Sequence, residues 1–224
     1  MIAAYHFHWS VVFNGDTATI AWIGVKYTLL VSSLSLVFGT PIGLIAALTR
    51  MSGRFPFAQI AYIYIDFFRT TPPLVQLIWI FYVLPILIGF GLSPIASGVL
   101  ALSLNAGAFL AEIFRSGLQS IDRGQHDAAS VLGLSRLQTF FHVVLPQAVR
   151  NVLPDLLSNT LEVVKLTALG SVVAMPELLF QARQAQSLTY NPTPIVVAAL
   201  IYFVLLWPLV RLLSRLENRA LAAR

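Results

Sequence analysis

Five long apolar segments dominate this sequence, and they limit the folds available to it. A helix that crosses a bilayer needs about 20 predominantly apolar residues. The segments cover about residues 22–48, 60–90, 94–114, 149–175 and 194–213. Only 10% of the 224 residues are charged, whereas 58% are hydrophobic, so there is too little charge to cover the surface of a water-soluble domain. The sequence predicts an all-α integral membrane protein with five spans in one domain.

The distribution of basic residues predicts the orientation of these spans. Ten of the fourteen Lys and Arg lie on one side, and the loops of the opposite side carry only Arg183. Because cytoplasmic loops are enriched in Lys and Arg, we expect the N-terminus outside and the C-terminus in the cytoplasm. Residues 1–20 are then an extracytoplasmic arm, 21–214 the membrane domain, and 215–224 a cytoplasmic tail. The chain contains no cysteine, which excludes disulfides and thiolate metal sites.

The second span contains a break. As one straight helix, residues 60–90 would extend about 46 Å, which exceeds a hydrocarbon core of about 30 Å. Pro72 and Pro73 lie within it and remove two backbone donors. We therefore expect an interrupted helix at 72–73. Two interpretations remain open, an ordinary proline kink and a wall of a solute pathway, where irregular backbone is tolerated.

Charged residues within or beside the spans predict a polar pathway. Three acid–base pairs have i,i+3 spacing and so share a helix face: Asp66–Arg69, Glu112–Arg115 and Glu162–Lys165. The second pair falls at a membrane interface, but the others are deeper, where charge normally faces a bundle interior or a hydrated path. The alternative is contacts between helices. The pathway-lining candidates are Asp66, Arg69, Gln76, Glu162, Lys165 and Thr167, with Asp155 and Lys26 as weaker ones.

The connection at residues 120–146 is unlike the rest of the chain because it is short, polar and well punctuated. We expect a helix over residues 125–132, with Asp127 in the first turn and Gly133 in the left-handed position after its end. Ser135 and Gln138 match a capping box that opens a second helix, which Pro146 ends or kinks. Ala128 and Ala129 give the first helix a small, flat face for close approach by another surface. An amphipathic helix resting on the membrane is the alternative.

These residues resemble a known motif. Asp127-Ala128-Ala129, Gly133 and the following Val143-Val144-Leu145-Pro146 look like the EAA motif of bacterial ABC importer permeases. The stretches AFLAEIFRSGLQSI, GQHDAASVLGLS, VLPQAVRNVLP and FFRTTPPLVQLIWIFYVLP each resemble the polar amino acid (histidine/glutamine-type) permease family. The resemblance extends from about Gly24 to about Leu213.

The resemblance implies a type I importer fold in the bacterial inner membrane. It also implies transport of polar amino acids or related small zwitterions by alternating access. The implied partners are an ATPase dimer, a second permease subunit, identical or related, and an extracytoplasmic solute-binding protein, with no nucleic acid. The implied ATPase-coupling residues are Gly124, Asp127, Ala128, Ala129, Gly133, Leu145 and Pro146.

The chain itself is not expected to be an enzyme. It lacks a GxxxxGK[ST] phosphate loop, so we expect ATP and Mg²⁺ to be used by the partner. We also expect no cofactor or metal bound by this chain. Some residues depart from the family pattern: Asp127 replaces Glu, Phe109 replaces Tyr, and Leu166 and Ala168 stand where Asp and Ser are common. The solute therefore stays open. The alternative function is a gradient-driven carrier or channel, which would need no docking helices.

Overall fold

In the computed structural model, residues 15–222 are described, with side chains from 18 to 215. This part of the chain is helical throughout, with short connections. The α-helices are α1 Gly15–Met51, α2 Phe57–Thr70, α3 Pro73–Ile78, α4 Leu84–Ile88, α5 Pro94–Gln119, α6 Arg123–Val131, α7 Arg136–Thr139, α8 Leu145–Leu166, α9 Leu178–Thr189 and α10 Thr193–Ala222. π-helical turns at Trp79–Val83 and Phe140–Val144 join α3 to α4 and α7 to α8, and a 3₁₀ segment, Thr167–Val173, follows α8.

The described residues contain four helical segments that are long and apolar enough to cross a membrane. A fifth crossing is obtained if α2 and the α3–α4 helix, which meet at an angle of 108°, form one broken span. The all-α membrane fold is therefore confirmed, with four or five spans among the described residues. The span predicted at 149–175 belongs to a longer run, Arg136–Val173, because α7, the π turn and α8 are continuous.

Both π turns precede a Leu-Pro pair. Leu84-Pro85 follows the turn Trp79–Val83, and Leu145-Pro146 follows Phe140–Val144. Proline lacks the backbone N–H of the normal ladder, but in the first turn of a helix this group has no intrahelical partner anyway. The π turn restarts the helix at the residue before each proline, so the chain continues in a helical path through both.

Small residues bring α1 and α5 together at the centre of the bundle. Gly39 and Gly43 of α1 are one turn apart, and a Cβ atom at Gly43 would lie 2.7 Å from the carbonyl oxygen of Gly107. Ala108 and Ala111 of α5 have no exposed surface. In a membrane, where lipid is as apolar as leucine, helices associate through such close backbone approach. This contact makes α5 the central helix of the fold.

The break in the second span is held by side chains. Pro72 leaves the carbonyl of Phe68 without its usual i+4 donor. That oxygen accepts instead from Gln76 Nε2 and from Asn105 Nδ2 of α5, both at 3.0 Å. Asn105 Nδ2 also donates to Gln76 Oε1 at 3.1 Å. The 108° bend is thus fixed to the central helix rather than free to straighten.

The bundle has two distinct ends. At the arginine-rich end (Arg50, Arg115 and the segment 120–144), Glu112 of α5 bonds Arg115, and Arg50 of α1 donates to Glu112 Oε2 at 2.9 Å. At the arginine-poor end (residues 89–93 and 174–192), α9 packs between the N-terminal half of α1 and α10. The predicted separation of charge thus coincides with the two ends of the described helices.

Candidate functional site

The first helix of the connection 120–146 begins two residues earlier than predicted. α6 starts at Arg123, and Asp122 caps it by accepting from the N–H of Gly124 at 2.7 Å. Asp122, which the sequence reasoning passed over, therefore occupies the position expected of a capping residue. Asp127 lies in the second turn rather than the first. Gly124 lies within the helix, where its N–H makes the cap bond.

The corner between α6 and α7 has the predicted geometry. Gly133 has a φ of 73°, and Leu134 N–H donates to the carbonyl of Ala129 at 3.1 Å, which closes α6 with a left-handed glycine. The Ser135–Gln138 capping box is also confirmed, with bonds of 3.3 and 2.9 Å. Pro146 does not end the second helix, because the π turn places it in the first turn of α8 and the helical run continues to Val173. Two rigidly capped helices thus meet at one glycine.

Three large apolar side chains stand out among the mostly polar exposed residues of this segment. Val131, Leu132 and Leu137 are 88%, 78% and 71% exposed. Ala128 is exposed, but Ala129 is only 2% exposed and lies against the chain itself. The prediction of a shared Ala128–Ala129 docking face is therefore wrong for Ala129, because the corner folds α6 back towards the π turn. Leu145 is half-buried and Pro146 is exposed. We call residues 122–144 the coupling segment.

A second feature is a cavity between α3, α5 and α8, with a volume of about 360 Å³. Its polar lining comes mainly from one face of α8, where three side chains recur at helical spacing: Asp155, Asn159 and Glu162. Asn105 and Phe109 of α5 form the facing wall. The side-chain amide oxygen Oδ1 of Asn159 is buried and has no hydrogen-bond partner among the described residues. The cavity therefore offers two carboxylates and a free acceptor.

The predicted pathway residues fall into two groups. Glu162 lines the cavity and is exposed, with Lys165 Nζ 3.6 Å from its carboxylate. Arg69 is not part of the cavity lining, but its guanidinium carbon lies 5.6 Å from the ring centre of Phe109, which is. Asp66 and Arg69 do not form an ion pair within the described residues, although their spacing allows it.

Gln76 and Thr167 are not on the cavity wall. Gln76 is 5% exposed because it bridges the broken span, and Thr167 is fully buried and donates to the carbonyl of Val164 at 2.7 Å. The prediction that these two side chains line the pathway does not match their positions. Asn105, which Gln76 holds, lies there instead.

The arginine-poor end contains a charge that the sequence reasoning missed. Glu177 has no exposed surface and caps α9, accepting from the N–H groups of Leu179 and Phe180 at 2.8 and 2.6 Å. Tyr202 of α10 donates to the same carboxylate at 3.0 Å. Burial raises the pKa of Glu177 to about 7. The sequence does contain a signal for this cap, because Glu177 directly precedes the apolar residues that begin α9.

The family model of the binding-protein-dependent transport system inner membrane component matches residues 39–221. The chain belongs to this family. The match includes the coupling segment and every helix that lines the cavity. Members of the family are permease subunits rather than enzymes, so neither feature is a catalytic centre.

Named relatives and a solved structure agree with this membership. The chain is 36% identical to the "Arginine transport system permease protein ArtQ" of Bacillus subtilis over 183 residues, covering 81% of this chain and 84% of that protein. It is 36% identical to the "L-cystine transport system permease protein TcyB" of the same species over 198 residues, covering 88% and 84%. A structure described as "an amino acid ABC transporter with histidines" matches with a TM-score of 0.86 and 35% identity over 98% of this chain and 100% of that one.

Proposed function

We propose that this protein is the transmembrane subunit of an ATP-driven importer for polar amino acids or related small zwitterions. The observation that carries the proposal is the coupling segment, a pair of capped helices whose exposed apolar side chains have no partner in the described chain. A gradient-driven carrier has no need of such a surface. The solute class is supported by relatives whose names specify arginine and cystine transport.

The coupling segment is suited to transmit force from an ATPase dimer. The Asp122 cap, the Gly133 corner and the Ser135 capping box fix α6 and α7 relative to each other. A groove on each ATPase would accept Val131, Leu132 and Leu137. Displacement of this rigid corner would move α8, because α7, the π turn and α8 are continuous. Further proposed contact residues are Gly124, Asp127, Ala128, Gly133, Leu145 and Pro146, while Ala129 acts by packing inside the segment.

The cavity is the proposed solute pathway. Asp155 and Glu162 place negative charge on the α8 wall, where a solute ammonium group would bind. Arg69, which packs on the ring of the lining residue Phe109, would supply the opposite charge for a carboxylate. Because α8 carries both this wall and the link to the coupling segment, movement of the segment would change access to the cavity. In this proposal, alternating access results from the link that α8 makes between the coupling segment and the cavity.

The assembly and orientation follow from the same proposal. The arginine-rich end faces the cytoplasm and the ATPase dimer, and the arginine-poor end faces outward, so that the N-terminus is outside and the C-terminus inside. A second permease subunit, identical or related, completes the pore. A solute-binding protein delivers the solute from outside, and the partner ATPase uses ATP and Mg²⁺.

The experiment that tests the function is reconstitution. The chain is co-expressed with its chromosomal neighbours, purified and placed in lipid, and ATP hydrolysis is measured with solute-loaded binding proteins. We expect an ATPase to co-purify and a loaded binding protein to stimulate hydrolysis for one class of solute. Uptake driven by an ion gradient without any associated ATPase would establish the carrier alternative and exclude the importer.

A paired substitution tests the cavity. Glu162→Gln removes a cavity charge and breaks the ion pair with Lys165, whereas Lys165→Gln breaks the same pair and leaves the cavity charge in place. We expect Glu162→Gln to raise the solute concentration needed for half-maximal uptake about tenfold, the effect of losing one charged hydrogen bond, and Lys165→Gln to change it less. Equal effects would show that Glu162 acts only through the ion pair.

A further inference from the structure

Helix α9 has two faces of opposite character. One face is buried against α1 and α10: Leu178, Ala182 and Ala185 are 2%, 7% and 2% exposed. On the other face, Arg183, Gln184, Ser187 and Leu188 are all exposed. With Ser171 and Phe180, these side chains line an open hollow of about 560 Å³. A 12-residue helix is too short to span a bilayer, so this second face is a surface feature of the arginine-poor end.

The helix is held rigidly from behind. Glu177 fixes its first turn through Leu179 and Phe180 and is itself bonded by Tyr202 of α10. The N–H of Leu178 donates to Thr28 Oγ1 of α1 at 3.2 Å. The N-terminus of α9 is therefore tied to two spans at once, and a load on its exposed face would reach both of them.

The hollow has the chemistry of a protein docking site for an acidic partner. Arg183 is the one exposed charge in the described loops of this end, residues 89–93 and 174–192, because Glu177 is buried. A guanidinium binds carboxylates bidentately, and arginine is enriched at protein interfaces. Phe180 and Leu188 add apolar contact area beside it, and Gln184 and Ser187 add hydrogen-bonding groups.

We propose that the exposed face of α9 receives an acidic surface of the solute-binding protein, with an Asp or Glu of that protein paired to Arg183. The inference rests on the proposed importer function and specifies the surface through which the outer partner acts. The Glu177 and Thr28 contacts then pass docking on to α10 and α1. A second permease copy or anionic lipid over the same face is a distinct outcome of the tests below.

The first test is cross-linking, which benefits from the absence of native cysteines. Gln184→Cys places a thiol on the exposed face of α9. Gly91→Cys is the matched control in the loop 89–93 of the same end, where an added Cβ has no atom within 4 Å. Each variant is labelled with a short photoreactive maleimide in the reconstituted complex, and loaded binding protein is added. We expect a cross-link to the binding protein from residue 184 and a much weaker one from 91. Cross-links from 184 to a second permease chain or to lipid alone, or equal cross-links from both positions, would overturn the proposal.

The second test is charge reversal. We expect Arg183→Glu to reduce stimulation of hydrolysis by the loaded binding protein roughly tenfold, while Arg183→Lys retains most of it. Basal hydrolysis and co-purification of the ATPase stay unchanged, since Arg183 lies at the far end of the bundle from the coupling segment. Added salt should weaken stimulation of the native complex more than stimulation of the Arg183→Gln variant. Salt screens the charge of Arg183, and the variant lacks that charge. If the binding protein stimulates the native complex and the Arg183→Glu variant equally, docking at Arg183 is excluded and the importer function still stands. If no ATPase co-purifies with the native protein, or no binding protein stimulates it, the importer function itself is excluded.

Discussion

The coupling segment and the α9 region are both short helical connections between spans, but their side chains differ in exposure. In the coupling segment, Val131, Leu132 and Leu137 are mostly exposed, and side-chain caps together with the local packing of Ala129 hold the helices. Around α9, Met175 and Glu177 have no exposed surface, and contacts reach from α1 and α10. The first region is ordered locally, and the second is ordered by the bundle.

This difference indicates where each region's stability comes from. Caps and a left-handed glycine contribute about 1 kcal/mol each, which suffices to shape a corner that a partner then covers. Close packing and buried hydrogen bonds involve several elements at once, so one substitution disturbs all of them. The α9 end should therefore be sensitive in folding, and the coupling end sensitive in function.

The largest expected loss of stability is from Gly24→Leu. A Cβ at Gly24 would lie 2.7 Å from Leu178 Cα, a backbone atom that cannot rotate away. Overpacking of this kind costs about 3 kcal/mol, which exceeds the gain of less than about 1 kcal/mol in helix propensity. We expect a clear fall in the thermal unfolding midpoint of the purified protein. Gly91→Leu, in open space, is the control, and equal midpoints for the two variants would contradict the packing argument.

The next effect depends on pH and concerns Glu177. Its folded pKa of about 7 lies above the reference value of 4.5, so the folded state retains a proton that the unfolded state has released. Stability is therefore full below pH 4.5 and falls as pH rises to 7, by up to about 3 kcal/mol. Glu177→Gln, which is always neutral, should flatten this slope of the thermal midpoint against pH. The same slope in both proteins would show that other groups cause it.

A smaller effect on stability, but a large one on function, is expected for Gly133→Leu. No atom lies within 4 Å of an added Cβ, so the cost is the left-handed backbone alone, about 1 kcal/mol. The protein should still insert and fold, but a distorted corner should uncouple ATP hydrolysis from uptake, measured together in proteoliposomes. Gly133→Asn, which tolerates this backbone, should stay close to normal. Normal uptake by the leucine variant would exclude the proposed role of the corner.

The smallest effect on stability is expected for Leu137→Ser. The side chain is 71% exposed, so the free energy of unfolding should change by no more than about 0.5 kcal/mol. Association with the ATPase should weaken roughly tenfold, because an apolar contact is removed. The comparison is Leu188→Ser at the other end, which is 73% exposed and should leave this association unchanged. A change of similar size in both variants would remove the distinction between the two ends.

Local patterns in the sequence were enough for much of the fold. The apolar segments predicted the spans, Ser135 and Gln138 predicted a capping box, and Gly133 predicted a left-handed corner. These features depend on residues within about one helical turn of each other, so a linear reading contains their physics. The paired prolines likewise predicted a break, since a missing N–H is a property of the residue itself.

The positions of individual side chains could not be obtained in this way, because they depend on contacts between distant residues. Gln76 is buried because Asn105, 29 residues away, meets it at the broken helix. Ala129 is buried by the segment that follows its own corner, and Glu177 is enclosed by α1 and α10. Hydropathy and spacing predict which residues form a helix and which face is apolar. Whether a polar side chain lines a cavity or closes a gap in the backbone depends on how the helices pack around it.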